Sequence, residues 1–159
     1  MNVTLNCDAS FSNRYSMGTY AFWIVSNLGR ITGSGPLRNR CNDSTEAEIK
    51  CILNALTMIT MNFDLMVHVK AIYVNTDSLN AIHLLSGDEK AIKKFHLKKY
   101  NHIASKYNTI KKKLKGKDIY FSHVKAHSDI DTKRSWVNDW LDKAAKEEMG
   151  KLLITKTKK

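Results

Sequence analysis

The chain has 159 residues, 43% of them hydrophobic and 26% charged, which is globular composition with enough length for one full core and too little for two. Lysines and arginines number 26 against 15 acids, a formal net charge of +11, so the surface favours a polyanion such as nucleic acid or an anionic membrane face. No apolar run approaches the ~20 residues that cross a bilayer, and no membrane association is expected.

The amino end, Met1 to Asn6, has no basic leader and no long apolar stretch, so no signal peptide is expected there. Cys7, Cys41 and Cys51 form no CxxC pair. An odd count of cysteines without a secretion signal implies reduced thiols and a cytoplasmic location, with Cys7 and Cys51 packed as small apolar side chains and no zinc site.

Val3, Leu5 and Cys7 alternate with Thr4, Asn6 and Asp8, the pattern of a strand with one buried face and Asp8 near its end. A more apolar strand is expected over Thr19–Ser26 and a third over Arg30–Gly35, with a turn at Asn27-Leu28-Gly29. Short connections make these three an antiparallel meander. Asp43, Ser44 or Thr45 caps a helix in which Ile49, Ile52, Leu53, Leu56 and Ile59 recur at helical spacing, to about Met61. Val67–Thr76 reads as a fourth strand, followed by Asp77 and a short helix from Ser78 to Ile82. After Ser86-Gly87-Asp88 comes a long lysine-rich segment with Ile103, Tyr107, Ile110 and Leu114 on one helical face and Gly116 as its stop. Ile119 and Phe121 alternate with Tyr120 and Ser122 in a fifth strand. A polar loop from Lys125 to Ser135 leads to a last helix built on Val137, Trp140, Leu141 and Ala144. Residues 1–150 are expected to form the domain, and 151–159 a basic, disordered tail. The fold class is α/β: a five-stranded mixed sheet, three antiparallel strands then parallel ones, flanked by helices.

Four acids stand at strand ends or helix starts in this order of elements: Asp8, Glu48, Asp77 and Asp142. Strand-end acids of an α/β sheet gather at one edge, where crevices form. A parallel pair made by the first and fourth strands sets Asp8 beside Asp77, and helix starts facing that edge bring Glu48 and Asp142 to them. Four carboxylates in one pocket are tolerable only with cations among them. Oxygen-only ligands suit Mg²⁺ or Mn²⁺ rather than zinc. Two such ions ~4 Å apart activate water and stabilise the leaving oxygen of a phosphodiester, so no side-chain nucleophile is required.

Five stretches together resemble type 1 ribonuclease H across almost the whole chain. They are Leu5-Asn6-Cys7-Asp8-Ala9-Ser10, then Thr45-Glu46-Ala47-Glu48 running into Ile52-Leu53-Asn54-Ala55-Leu56, then Asn75-Thr76-Asp77-Ser78, then His123-Val124-Lys125-Ala126-His127, and finally Asn138-Asp139-Trp140-Leu141-Asp142-Lys143-Ala144-Ala145. The resemblance implies a ribonuclease-H-like fold and two Mg²⁺ ions, for which Mn²⁺ substitutes. It also implies endonucleolytic cutting of RNA paired to DNA, leaving 5′-phosphate and 3′-hydroxyl ends. It assigns the metal ligands to Asp8, Glu48, Asp77 and Asp142, preferring Glu48 to Glu46 and Asp142 to Asp139. It gives His127 a part in proton transfer or product departure, for which a near-neutral imidazole is suited. His123, inside the strand, is expected to be structural. The sequence departs from the family pattern at Ser12–Gly18, which lacks the usual Gly-rich turn, and at Leu79, where many members carry a glutamine.

Holding a hybrid requires hydrogen bonds to ribose hydroxyls and a grip on the DNA phosphates. Asn13, Asn42, Ser44, Thr45 and Ser78 are the polar candidates near the acids. Lys98 and Lys99 lie in a lysine-rich run, Lys90 to Lys117, whose charge suits phosphate contact. The expected partner is an RNA–DNA hybrid bound by a monomer. Other nucleases of the same fold (a junction resolvase or a reverse-transcriptase-associated module) and a catalytically silent nucleic-acid-binding module are the alternatives, and retention of all four acids favours an enzyme.

Overall fold

Residues 1–124 and 133–157 are described by the computed structural model, with side chains for 1–124 and 136–156. Alternation of apolar and polar residues builds a long first hairpin: β1 (Asn2–Ser12) pairs antiparallel with β2 (Met17–Ser26), from Thr4↔Val25 to Ser12↔Met17. β3 (Gly29–Pro36) pairs antiparallel with β2. β4 (Ala71–Thr76) lies parallel to the other side of β1, and β5 (Asp118–His123) parallel to β4, giving the order β3-β2-β1-β4-β5. This is the expected mixed sheet.

The odd-numbered residues of β1, Val3, Leu5 and Cys7, face a core completed by Phe22 and Ile24 of β2 and by the apolar stripe of α1 (Ser44–Met61), including Ile49, Ile52, Leu56 and Ile59. Removal of such side chains from water is the main term holding the sheet to the helix. The opposite face carries Ala21 and Trp23, which pack against Val137, Leu141 and Ala145 of α6 (Lys133–Thr157). The hydroxyl of Thr19, fully buried, donates to the Ala145 carbonyl at 2.6 Å and pins this helix to β2.

Four elements differ from the sequence reading. β1 runs on to Ser12, so Asp8 is mid-strand, because the hairpin with β2 keeps its ladder going past it. The parallel seam with β4 does stop earlier, at Asn6↔Asn75. The fourth strand begins at Ala71, not Val67. Residues Phe63–His68 form α2, which the Asn62 side chain starts by accepting from Leu65 N–H at 3.0 Å. Lys117 Nζ donates to the Met66 and Val69 carbonyls, both at 2.9 Å, satisfying groups that the end of this helix would leave open. The helix after Asp77, α3 (Leu79–Ser86), ends on Gly87 at φ +74°, a left-handed position suited to glycine. The lysine-rich segment is broken into α4 (Glu89–Lys94), a 3₁₀ turn (Leu97–Tyr100) and α5 (Asn101–Lys113), with His96 at φ +54° between the first two. Finally, α6 continues to Thr157, through most of the stretch expected to be a disordered tail.

Candidate active site

The end of the β1–β4 seam sets the geometry. Asn6 and Asn75 are opposite each other in the last paired row, and their buried amides join, Asn75 Nδ2 donating to Asn6 Oδ1 at 3.0 Å. Asp8 is two residues further along β1, and Asp77 two residues beyond Asn75, so both carboxylates stand just past the end of the seam. The chain around Asp77 is fixed by its neighbours. Val124 N–H donates to the Thr76 carbonyl at 2.9 Å, Ser78 N–H to Thr76 Oγ1 at 3.2 Å, and the His123 Nε2–H contacts the Asp77 carbonyl at 3.2 Å.

Glu48 reaches the seam from the second turn of α1. One turn further on, Cys51 is buried, and its thiol donates to the Asp8 carbonyl at 3.2 Å and lies 3.5 Å from that of Ala21, holding this part of the helix against β1 and β2. Ala9 N–H then points at both carboxylates, 3.0 Å from Asp8 Oδ1 and 3.2 Å from Glu48 Oε1. Asp8, Glu48 and Asp77 each offer an oxygen within 4.8 Å of the others. Glu48 Oε2 is buried and accepts no hydrogen bond.

Such crowding has an electrostatic cost. Burial first, then the charges of Asp77 and Asp142, raise the Asp8 carboxyl from 3.8 to about 7. Burial, with the neighbouring negative groups including Asp8 and Asp77, pushes Glu48 well above the usual carboxylate range. A divalent cation placed among them would offset both penalties, and the buried Glu48 Oε2, which accepts no hydrogen bond, is available to one. The donor set, all carboxylate oxygen, suits a hard divalent cation.

Asp142 is not part of the close trio. It sits on α6 with its side chain 36% exposed and is held by Lys146 Nζ at 2.9 Å, one turn along the helix, yet it is near enough for its charge to act on Asp8. Glu46, two residues before Glu48, faces away from the trio. It accepts Asn42 N–H at 2.8 Å and lies 3.6 Å from Lys50 and 3.8 Å from His102. Asn42 and Ser44 are exposed at the start of α1 and Thr45 is half-buried; Asp43, of the three capping candidates, accepts from Glu46 N–H. Asn13 is exposed in the β1–β2 turn. Ser78 caps α3, its Oγ accepting from Ala81 N–H at 3.2 Å. Lys98 and Lys99 are exposed on the 3₁₀ turn. His127 lies outside the described residues. The supporting roles of Cys51, Ala9 N–H and Lys146 were not foreseen. Only Lys146 had a visible signal, four residues after Asp142 and so on the same helical face.

A mixed sheet of this order, with carboxylates meeting where its parallel seam ends, defines a nuclease of the ribonuclease-H-like class. The family model described as RNase H matches residues 1–150, and the chain belongs to that family; it is a ribonuclease. Among solved structures, RNase H1 from the halophilic archaeon Halobacterium salinarum is similar with a TM-score of 0.63 and 16% identity, over 95% of this chain and 99% of that one. The N-terminal RNase H domain of rv2228c from Mycobacterium tuberculosis, solved as a fusion with maltose binding protein, is similar with a TM-score of 0.69 and 13% identity, over 97% of each chain. LC11-RNase H1 in complex with an RNA/DNA hybrid is similar with a TM-score of 0.64 and 14% identity, over 95% of this chain and 99% of that one. At such identities the likeness is one of fold. No curated protein sequence matches the chain.

Proposed function

We propose that the protein is a metal-dependent endoribonuclease that hydrolyses the RNA strand of RNA–DNA hybrids, leaving 5′-phosphate and 3′-hydroxyl ends. The observation that carries this reading is the trio of Asp8, Glu48 and Asp77, with oxygens within 4.8 Å of one another and a buried Glu48 oxygen that accepts nothing. Family membership and the hybrid bound by LC11-RNase H1 support the choice of substrate.

In this reading Asp8, Glu48 and Asp77 hold divalent metal, and Asp142 completes the set from α6. When bound, two Mg²⁺ ions, or Mn²⁺ in their place, supply Lewis-acid activation of water and stabilisation of the leaving oxygen. The protein's own groups do the rest. The Asn6–Asn75 pair and the Cys51 thiol fix the carboxylates on sheet and helix, so that little reorganisation is needed at the moment of reaction. Asn13, Asn42, Ser44, Thr45 and Ser78 offer hydrogen bonds to the hybrid, and Lys98 and Lys99 a phosphate contact. His127, by resemblance to the family's loop histidine, aids proton transfer or product departure. The protein acts as a monomer in the cytoplasm. Among the described residues no helix is long and apolar enough to cross a membrane.

The test is incubation with a labelled RNA–DNA hybrid, duplex DNA and branched DNA, each in Mg²⁺ and in EDTA. The reading expects cleavage of the RNA strand of the hybrid alone, lost in EDTA. Cleavage of branched DNA in preference would make it a resolvase, and hybrid binding without turnover in either metal would make it a silent binding module.

A further inference from the structure

Asp43 divides its two carboxylate oxygens between two elements. Oδ1 accepts Glu46 N–H at 2.8 Å and so closes the first turn of α1, the helix that carries Glu48. Oδ2 accepts the Tyr100 hydroxyl at 2.6 Å. Tyr100 is only 6% exposed and ends the 3₁₀ turn on which Lys98 and Lys99 stand exposed. The short hydrogen bond to Asp43, with a further one between the Tyr100 hydroxyl and the Thr45 side chain, therefore joins the lysine-rich segment to the start of α1.

Most other contact between the two is apolar. Ile103, Tyr107 and Ile110 of α5 share one core with Ile49, Ile52 and Leu53 of α1. Apolar burial is non-directional and tolerates sliding, whereas a hydrogen bond to a carboxylate is short and directional. His102 approaches Glu46 Oε1 at 3.8 Å, but its side chain is 66% exposed, so solvent weakens that tie. Burial, followed by the bond to Asp43, pushes the Tyr100 hydroxyl up to about 12, which keeps it a proton donor at neutral pH.

We propose that Tyr100 is a positioning residue: through Asp43 it sets the register between the phosphate contact at Lys98 and Lys99 and the carboxylate trio, and thereby selects which phosphodiester is cut. This rests on the hybrid-nuclease reading above. Tyr100→Phe keeps the ring in the core and leaves Asp43 Oδ1 capping α1, so the perturbation is confined to the bonds of the hydroxyl with Asp43 and Thr45.

The experiment follows cleavage of a short labelled hybrid with one fixed DNA end by wild type, Tyr100→Phe, Lys98→Ala/Lys99→Ala and the triple variant, with thermal unfolding as a check on the fold. For Tyr100→Phe the expected result is a kcat within about twofold of wild type and a KM raised roughly three- to tenfold, the scale of one lost hydrogen bond. Cuts are expected to spread to neighbouring phosphodiesters. The lysine substitutions should raise KM in wild type and add much less once the hydroxyl is gone, the non-additivity of a linked pair. A purely structural role would lower the unfolding temperature without moving the cut sites. Unchanged cut positions with independent, multiplying effects on KM would overturn the positioning role alone. A wild type that leaves the hybrid intact in Mg²⁺ would remove the nuclease reading and this inference with it.

Discussion

Asp8→Asn should make the metal-free protein more stable while removing its cleavage activity. In the folded chain the Asp8 carboxyl titrates at about 7 against 3.8 in its unperturbed state. A folded pKa above the unfolded one means that the native state binds more protons between the two values. Stability is therefore fully present below about pH 4 and is lost as pH rises towards 7. At 1.36 kcal/mol per pH unit the span corresponds to about 4 kcal/mol. Asparagine matches aspartate in size and carries no charge, so the variant escapes the loss. In EDTA at pH 8 it should be more stable than wild type by up to about 4 kcal/mol, or roughly 10 °C in Tm for a chain of this size. At pH 4 the two should nearly coincide. Thermal unfolding followed by circular dichroism at pH 4, 6 and 8 measures the difference. Adding Mg²⁺ at pH 8 should raise the wild-type Tm and leave the variant's closer to its EDTA value, because a bound ion stabilises the folded form only. Parallel pH profiles for the two proteins in EDTA would refute the claim that the crowded carboxylates destabilise the metal-free fold.

Three further outcomes are expected. Asp77→Asn should abolish cleavage in Mg²⁺ and leave the circular dichroism spectrum and cooperative unfolding intact, since Asp77 is a half-buried residue after β4 and not part of the core. Glu48→Gln should lower kcat by orders of magnitude, whereas Glu46→Gln, which removes charge from a group pointing at Asn42 and His102, should act mainly on stability. Steady-state rates and unfolding on the same preparations separate the two. Hybrid affinity should fall steeply with salt, and Lys98→Ala and Lys99→Ala should each reduce the slope of log affinity against log salt by about one, as loss of a phosphate contact does. A slope unchanged by both would place these lysines on a solvated face.

Much of the fold was legible because it is written in short-range periodicity. The alternation Val3, Leu5, Cys7 marks which face of β1 meets α1, and the 3.6-residue spacing of Ile49, Ile52, Leu56 and Ile59 marks which face of α1 meets the sheet. Errors fell where two local signals competed. Val67 suits a strand, but Asn62 caps a new helix just after α1, and Lys117, nearly fifty residues away, completes the carbonyls at its end. The lysine-rich run looked continuous, yet the left-handed turn at His96 breaks it. The carboxy-terminal stretch looked too polar to order, yet α6 carries straight on through it from the part anchored on Trp23 and Thr19.

Composition, charge and pattern determined on their own that this is a basic α/β domain of five strands, and motif order pointed to Asp8, Glu48, Asp77 and Asp142. Only the tertiary structure decided that Asp8, Glu48 and Asp77 meet within 4.8 Å while Asp142 stands off on Lys146, and that Asp43 ties Tyr100 to α1. The physical reason is range. Residues 8, 48 and 77 interact only after strand register and helix docking have brought them together, and no local preference of the chain encodes that distance.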